Sequence, residues 1–223
     1  MRLFCVWNLV FFLGFTPFPS GLASAAPIRV SEVVGALTGH VVTSREVAMS
    51  GIMDQAMSSP KAFRPLPARG SKDFKENVAQ VLLECMVSAE SDSFGVGGAS
   101  AQDISGWDSK LAEYLARHGA AMSLWKSLEV SSKEKEKILR RKIQTEKFIE
   151  FKTRSSAVPV TDEEARDYFL KNKIRFGNAP FQQFRENIKT YLEKRNSETR
   201  LSEWFDLLQR KYNVRNFVAD RSS

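Results

Sequence analysis

The sequence is poor in the residues that commonly bind metals or form disulfides. It contains only two histidines, His40 and His118, and two cysteines, Cys5 and Cys85. Structural zinc sites take four Cys or His ligands, so this inventory does not favour one. Cys85 falls within an apolar helical stripe, which favours a buried small hydrophobic residue over a reactive thiol or a metal ligand. We therefore expect neither a metal ion nor a cofactor.

The sequence also lacks a recognisable set of catalytic residues. Three glycines within residues 91–103 resemble a phosphate-binding loop, but no Gly-Lys-Ser/Thr follows them and a predicted helix precedes them. This stretch is interpreted as a flexible connector. The acidic run 162–164 opens a predicted helix, where the helix dipole favours acids. We expect no catalytic residue and no enzymatic activity, with a prolyl isomerase or a divergent hydrolase as the less favoured alternative.

Basic residues are numerous but scattered. The net charge is +7, and nucleic-acid binding would require that charge to gather on one face. In the clearest predicted helix, residues 131–154, Arg140 and Arg141 point apart and glutamates are interspersed among the basic residues. This pattern is typical of a solvated amphipathic helix. We therefore expect no nucleic-acid partner.

Long hydrophobic runs are confined to the N-terminus. Arg2 precedes the apolar run "LFCVWNLVFFLGF", and Ala23-Ser24-Ala25 offers a small-residue cleavage site. This arrangement predicts a signal peptide over residues 1–25, and hence export through a membrane. Lysine-rich helices without a disulfide favour the periplasm of a bacterial envelope over a small extracellular module. A run this short favours cleavage over a membrane anchor, because a spanning helix needs about 20 residues. After cleavage we expect no stable membrane span, and Cys85 would have no cysteine partner.

The remaining residues predict a mostly α-helical domain that begins with a β-hairpin. Thr38-Gly39 lies between two valine-containing runs in residues 29–42, which indicates the hairpin. Thr43 and Glu46 have capping-box spacing and predict a helix to about residue 57. A proline-rich loop over residues 58–70 follows, and apolar spacing then predicts helices from residue 71 and over residues 106–118.

The last predicted helix, residues 181–212, has two apolar faces. The first half presents Phe181, Phe184, Ile188, Tyr191 and Leu192 on one side. After the polar stretch "EKRNSETR", the second half presents Leu201, Trp204, Phe205 and Leu208 on nearly the opposite side. Such a helix would contact two different bodies, or one body and a ligand. A kink within the polar stretch is the alternative.

The order of these elements resembles that of the SurA-type periplasmic chaperones over about residues 28–217. The signal peptide is followed by "VVGALTGHVVTSREV", which is similar to the family's hairpin and first helix. "VLLECMVSAE" and "LEVSSKEKEKILRRKIQTEKFIE" are similar to its core helices. "VTDEEARDYFLKNKIRF" resembles the helix that leads into a parvulin isomerase domain, and the segment from Pro180 to Val214 resembles the long C-terminal helix.

The resemblance implies a SurA N-terminal-like domain over residues 26–217, closed by its long C-terminal helix and followed by a disordered tail at 218–223. Relatives commonly carry a parvulin domain near the Gly177–Pro180 break. Here the chain passes directly from one helix to the next. The resemblance therefore implies the chaperone module without the prolyl isomerase.

The function implied by the resemblance is that of an ATP-independent holdase. It would bind unfolded or partly folded envelope proteins, including outer-membrane proteins, in an apolar groove. The candidate peptide-binding residues are Trp107, Phe181, Phe184, Trp204 and Phe205, each of which is alternatively an ordinary core residue. A non-catalytic envelope assembly or structural protein with one dedicated partner is the alternative function. The pattern indicates no particular oligomeric state.

Overall fold

The computed structural model describes residues 31–58, 61–156 and 158–219. The described chain is mostly helical, with eight helices and a small antiparallel sheet, which confirms the predicted mostly α class. The predicted signal peptide lies outside the described residues. Among the residues that are described, none of the helices combines the length and the hydropathy that a membrane crossing requires.

The sheet has three strands in the order β2-β1-β3. Strands β1 (Val33–Leu37) and β2 (His40–Thr43) form the predicted hairpin. Its turn uses Gly39 at a φ of 80°, a conformation that a residue without a Cβ adopts freely. The third strand, β3 (Arg215–Asn216), pairs with β1 and comes from the opposite end of the chain. The sequence did not predict β3.

Helix α1 (Ser44–Ser58) begins where predicted, but its capping box is only half formed. The Thr43 hydroxyl accepts a hydrogen bond from the Glu46 N–H at 3.2 Å. The Glu46 carboxylate does not return to the cap; it binds His40 and Arg141 instead. A buried ionic contact therefore replaces the second half of the motif.

Helix α2 spans Lys72–Phe94, helix α3 Ala101–Arg117 and helix α4 Gly119–Ser127. The connector predicted over residues 91–103 is therefore only the short turn 95–100. Ser100 and Asp103 form a capping box that starts α3 five residues before the predicted residue 106. Lys147 also binds Asp103 at 2.5 Å, which ties this end of α3 to a neighbouring helix.

Helix α5 spans Ser132–Ser155, α6 Asp162–Lys171, α7 Lys173–Phe176 and α8 Phe181–Lys211. Helix α8 is continuous through its polar middle, which confirms the prediction of one helix with two apolar faces over the alternative of a kink. Each half of α8 packs against a different cluster of side chains.

Three hydrophobic clusters make up the interior. The sheet core joins β1, β2, α2 and α5 to the C-terminal half of α8 and includes Val34, Val42, Val81, Phe148 and Leu208. The helical core joins α1, α3, α4 and α5 and includes Ile52, Met53, Leu111, Tyr114 and Leu139. The distal cluster joins α6 to the N-terminal half of α8 and includes Val160, Ala165, Phe169 and Ile188.

The two ends of the described chain meet at the sheet core. The Thr38 N–H in the hairpin turn donates to the Tyr212 carbonyl at 2.8 Å, and Val218 packs against the same core. The last helix therefore closes the core against the hairpin, as the resemblance implied.

A largely buried network of charges joins α5 to α1 and α2, with the exposed Asp54 at its edge. Arg141 contacts the Glu46 carboxylate and lies 3.4 Å from Glu84, while Lys142 binds Glu84 and Asp54 at 2.6 Å each. Burial alone would raise the pKa of Glu46, but the hydrogen bond to His40 and the charge of Arg141 hold it below its usual value. Glu46 is therefore stabilised in its charged form by the fold.

We expect Leu208→Ala to lower the free energy of unfolding by about 2–5 kcal/mol, because it leaves a cavity in the sheet core. Leu208 is 2% exposed, whereas its neighbour Leu207 is 57% exposed. The control Leu207→Ala is expected to change stability by no more than about 0.5 kcal/mol. Urea unfolding measures both variants, and equal losses would show that α8 does not close the core.

We also expect acid to weaken the fold through Glu46. Its folded pKa lies below the unfolded value of about 4.3, so its stabilisation is complete above that pH and is lost as pH falls through the folded pKa. Glu46→Gln should therefore lose most stability relative to wild type at pH 7, and the difference should shrink below about pH 4. Glu113→Gln, in an exposed pair with Arg117, is the control. Urea unfolding between pH 3 and pH 7 tests this, and a Glu46→Gln difference that stays constant with pH would contradict it.

Candidate functional site

An open cleft lined by aromatic residues lies between α6, α7 and the N-terminal half of α8. We call it the aromatic cleft. Its volume is about 290 Å³. It is lined by Tyr168, Arg175, Phe176, Phe184, Asn187, Ile188 and Tyr191. Four of these seven side chains are aromatic, and two others carry hydrogen-bonding groups.

The aromatic rings of the cleft pack against one another at favourable distances. The centroid of Tyr168 lies 5.5 Å from that of Tyr191 and 6.4 Å from that of Phe176. Phe176 lies 5.1 Å from Phe184 in a tilted arrangement. Pairs at such distances stabilise one another beyond simple burial. The rings therefore form a preorganised wall.

Helix α6 is held against α8 by its first turn. Thr161 and Glu164 form a complete capping box, which fixes where α6 begins. Asp162 then binds Lys189 at 2.6 Å and Arg185 at 3.3 Å across the helix interface. The hydrogen bond from Lys189 lowers the pKa of Asp162. This acidic turn, which the sequence assigned to the helix dipole, also ties α6 to α8, the two helices on either side of the aromatic cleft.

The elements that form the cleft also carry apolar side chains that are exposed to solvent. Ile174 in α7 is fully exposed, Leu170 in α6 is 59% exposed, and Tyr191 is 48% exposed. Of these three, Tyr191 lines the cleft itself, and exposed apolar surface at a cleft commonly marks an interaction site. The rings and these side chains offer apolar contact, while Asn187 and Arg175 carry donors suited to peptide carbonyls.

A second cleft lies among α1, α2, α3 and α5 and has a volume of about 420 Å³. Trp107, Met57 and Ile149 supply its apolar lining. Its charged lining comes from Asp54, Lys110, Glu84, Lys142 and Glu146. Lys142 and Glu84 are already paired with each other, so this surface is mixed in character and part of its charge is committed to the fold.

The structure distributes the five candidate residues over three surfaces. Phe184 lines the aromatic cleft, and Phe181 packs in the distal cluster 5.7 Å from Phe169. Trp107 lines the second cleft. Trp204 and Phe205 are neighbours, 5.1 Å apart, and both pack against the sheet core.

Of the seven residues that line the aromatic cleft, sequence reasoning proposed only Phe184 as a site residue. Tyr191 was placed on the correct face of α8 but was not a site candidate, and Phe176 lay next to the Gly177 break. The signal that points to the cleft is the recurrence of Phe184, Ile188 and Tyr191 at helical spacing on α8, opposite the aromatic residues of α6 and α7.

Three potential metal ligands come together in the core, which the sequence did not predict. The ligand atoms of His40, Glu46 and Cys85 all lie within 4.8 Å of one another. The Arg141 guanidinium lies among them, in contact with Glu46 and 3.3 Å from the Cys85 sulfur. Burial raises the pKa of Cys85 to about 12, so its thiol stays protonated at neutral pH. The Arg141 side chain thus supplies the positive charge that balances the Glu46 carboxylate in this cluster.

Comparisons of the chain with protein-family models, with curated proteins and with solved structures found no match.

Proposed function

We propose that this protein is an ATP-independent periplasmic chaperone, a holdase that binds unfolded or partly folded envelope polypeptides in the aromatic cleft. The observation that carries the proposal is the open aromatic wall of Tyr168, Phe176 and Tyr191. The helices that form it also carry the exposed Leu170 and Ile174. The resemblance in element order to the SurA-type chaperones supports the same proposal, and so does the predicted signal peptide.

The chemistry of the cleft suits unfolded clients. Unfolded chains expose apolar side chains and unpaired peptide groups, and aromatic faces bind the former without a strict demand on shape. A cleft of about 290 Å³ accommodates only one or two client side chains at a time. Binding at this site is therefore weak, because each docked segment also loses conformational freedom.

The location of the cleft also fits this role. It is built on the distal cluster, which is separate from the two larger cores. Its exposed residues do not close any of these cores, so they are free to contact a partner without unfolding the domain. ATP independence is part of the proposal, since the glycine-rich stretch 95–100 serves as a turn between two helices.

The proposal predicts that the purified protein slows aggregation of a denatured outer-membrane protein in the absence of ATP. Tyr191→Ala and Ile174→Ala should weaken this effect several-fold, since about 1 kcal/mol of lost apolar contact changes affinity about fivefold. Light scattering during dilution from urea measures the effect.

A matched control is Phe151→Ala, which removes an aromatic side chain of similar exposure, 44%, that lies outside the cleft. It should leave the suppression of aggregation unchanged. If wild-type protein at several-fold molar excess does not suppress aggregation, the holdase proposal is wrong, and a single dedicated partner becomes the better explanation. If all three variants lose activity equally, clients do not bind in the aromatic cleft.

A further inference from the structure

The proline-rich segment at residues 61–68, "KAFRPLPA", lies along one side of α1 without forming a helix or a strand. Gln55 binds the backbone of Arg64, and the side chain of Leu66 approaches Gly51. Just beyond the segment, Arg69 donates to the Ser44 hydroxyl at 3.1 Å. As the segment advances, its contacts therefore move backward along α1.

Helix α1 and the segment advance by the same distance between their shared contacts. From Gly51 to Gln55 the helix advances four residues at about 1.5 Å each, and from Arg64 to Leu66 an extended chain advances two residues at about 3.1 Å each. Both distances are about 6 Å. The segment thus runs antiparallel to α1, and Pro65 and Pro67 favour an extended, polyproline-like form because each has a fixed φ.

Gln55 recognises the backbone of the segment rather than a side chain. Its amide nitrogen donates to the Arg64 carbonyl at 2.9 Å, and its amide oxygen accepts from the Arg64 N–H at 2.9 Å. The Tyr114 hydroxyl donates to the same Gln55 oxygen at 3.1 Å, which fixes the orientation of the amide. Gln55 is 8% exposed, so this pair of hydrogen bonds is shielded from water. Any extended peptide with a free N–H at this position offers the same two groups.

Two side chains of the segment supply the apolar contact. Phe63 and Leu66 both pack partly buried against the helical core. They are three residues apart, the repeat of a polyproline helix, so they lie on the same side of it. A Cβ at Gly51 would come within 3.2 Å of Leu66, so the absence of a side chain at Gly51 makes room for it. The Arg64 and Pro65 side chains are exposed.

We infer that this side of α1, formed by Ser44, Gly51 and Gln55 with Tyr114, is a second peptide-binding site, which we call the α1 groove. Its ligand class is an extended segment with two apolar residues three positions apart, the second flanked by prolines. Residues 61–68 occupy it in cis as a resident ligand. This inference is separate from the chaperone proposal, because none of the four residues belongs to the aromatic cleft.

Because residues 61–68 occupy the α1 groove, any partner must displace them in order to bind. A tethered segment has an effective concentration that reaches the millimolar range, so a single partner peptide competes poorly. A partner that also binds elsewhere on the protein gains the same advantage and displaces the segment. The groove is therefore closed to isolated peptides and open to partners with two contacts.

The test uses the full chain and replaces the apolar anchors of residues 61–68, so that this segment no longer occupies the α1 groove. In the variant Phe63→Ser/Leu66→Ser, the segment loses both apolar anchors, and a fluorescent peptide spanning residues 61–69 is added in trans. Fluorescence anisotropy should show at least tenfold tighter binding to this variant than to wild type. A control peptide with serine at both apolar positions should bind neither protein.

Gly51→Ala provides a second readout that does not threaten the helix, because alanine favours a helix more than glycine does. Added to the opened variant, it should weaken binding of the peptide several-fold by filling the space that Leu66 uses. Circular dichroism checks the fold of each variant, and the single change Leu66→Ser gives the same test if the double variant unfolds.

Either of two results would overturn the inference. One is a folded, opened variant that does not bind the peptide at millimolar concentration. The other is a peptide that binds wild type as tightly as the opened variant. Neither result bears on the aromatic cleft, whose test uses Tyr191 and Ile174. Failure of the α1 groove is thus distinguishable from failure of the chaperone proposal.

Discussion

The buried ionic network around Arg141 and Lys142 constrains the rest of the structure. These adjacent residues of α5 contact α1 through Glu46 and Asp54, and α2 through Glu84. A buried charge that loses its partner costs about 3–5 kcal/mol, so the three helices are held in one register. An apolar interface alone would tolerate sliding far better. Both the second cleft and the α1 groove are built on these helices, so their shapes follow from this register.

Helix α8 connects the sheet core to the distal cluster. Its C-terminal half completes the sheet core through Leu208, and its N-terminal half forms one wall of the aromatic cleft. Between them, Arg200 donates to the Ser156 carbonyl at 2.5 Å and Glu193 accepts from the Val160 N–H at 3.2 Å. The polar middle of α8 thus fastens the connection between α5 and α6, which explains a stretch that has no apolar face.

Much of the fold was predictable because its signals are local. Thr161 and Glu164 form the cap that their spacing predicts, Thr38-Gly39 forms the turn, and α8 has the two faces that its apolar spacing indicates. The start of α3 was missed because neighbouring glycines suggested a connector, whereas the Ser100–Asp103 capping box governs the chain there.

Other features depend on residues far apart in the sequence. Strand β3 has only two residues and exists because α8 delivers it beside β1, after a reversal at Asn213 with φ at 49°. The sequence predicts Glu46 as a capping residue, but its carboxylate instead binds Arg141, which lies 95 positions away. The aromatic cleft likewise needs α6 and α8 to be brought together before its residues share a surface. The local spacing of residues does not indicate these long-range contacts.

The two proposed peptide-binding surfaces would differ in what they recognise, and this difference follows from their side chains. The aromatic cleft offers rings together with the Asn187 and Arg175 side chains, so it would discriminate mainly by apolar character. The α1 groove presents one amide, Gln55, whose two hydrogen bonds require an extended backbone in one position. Unfolded chains with varied sequences meet the first requirement, whereas proline-rich segments meet the second at low entropic cost, because their backbone is already extended. A polypeptide that presents both kinds of segment would gain the combined affinity needed to displace residues 61–68 from the α1 groove.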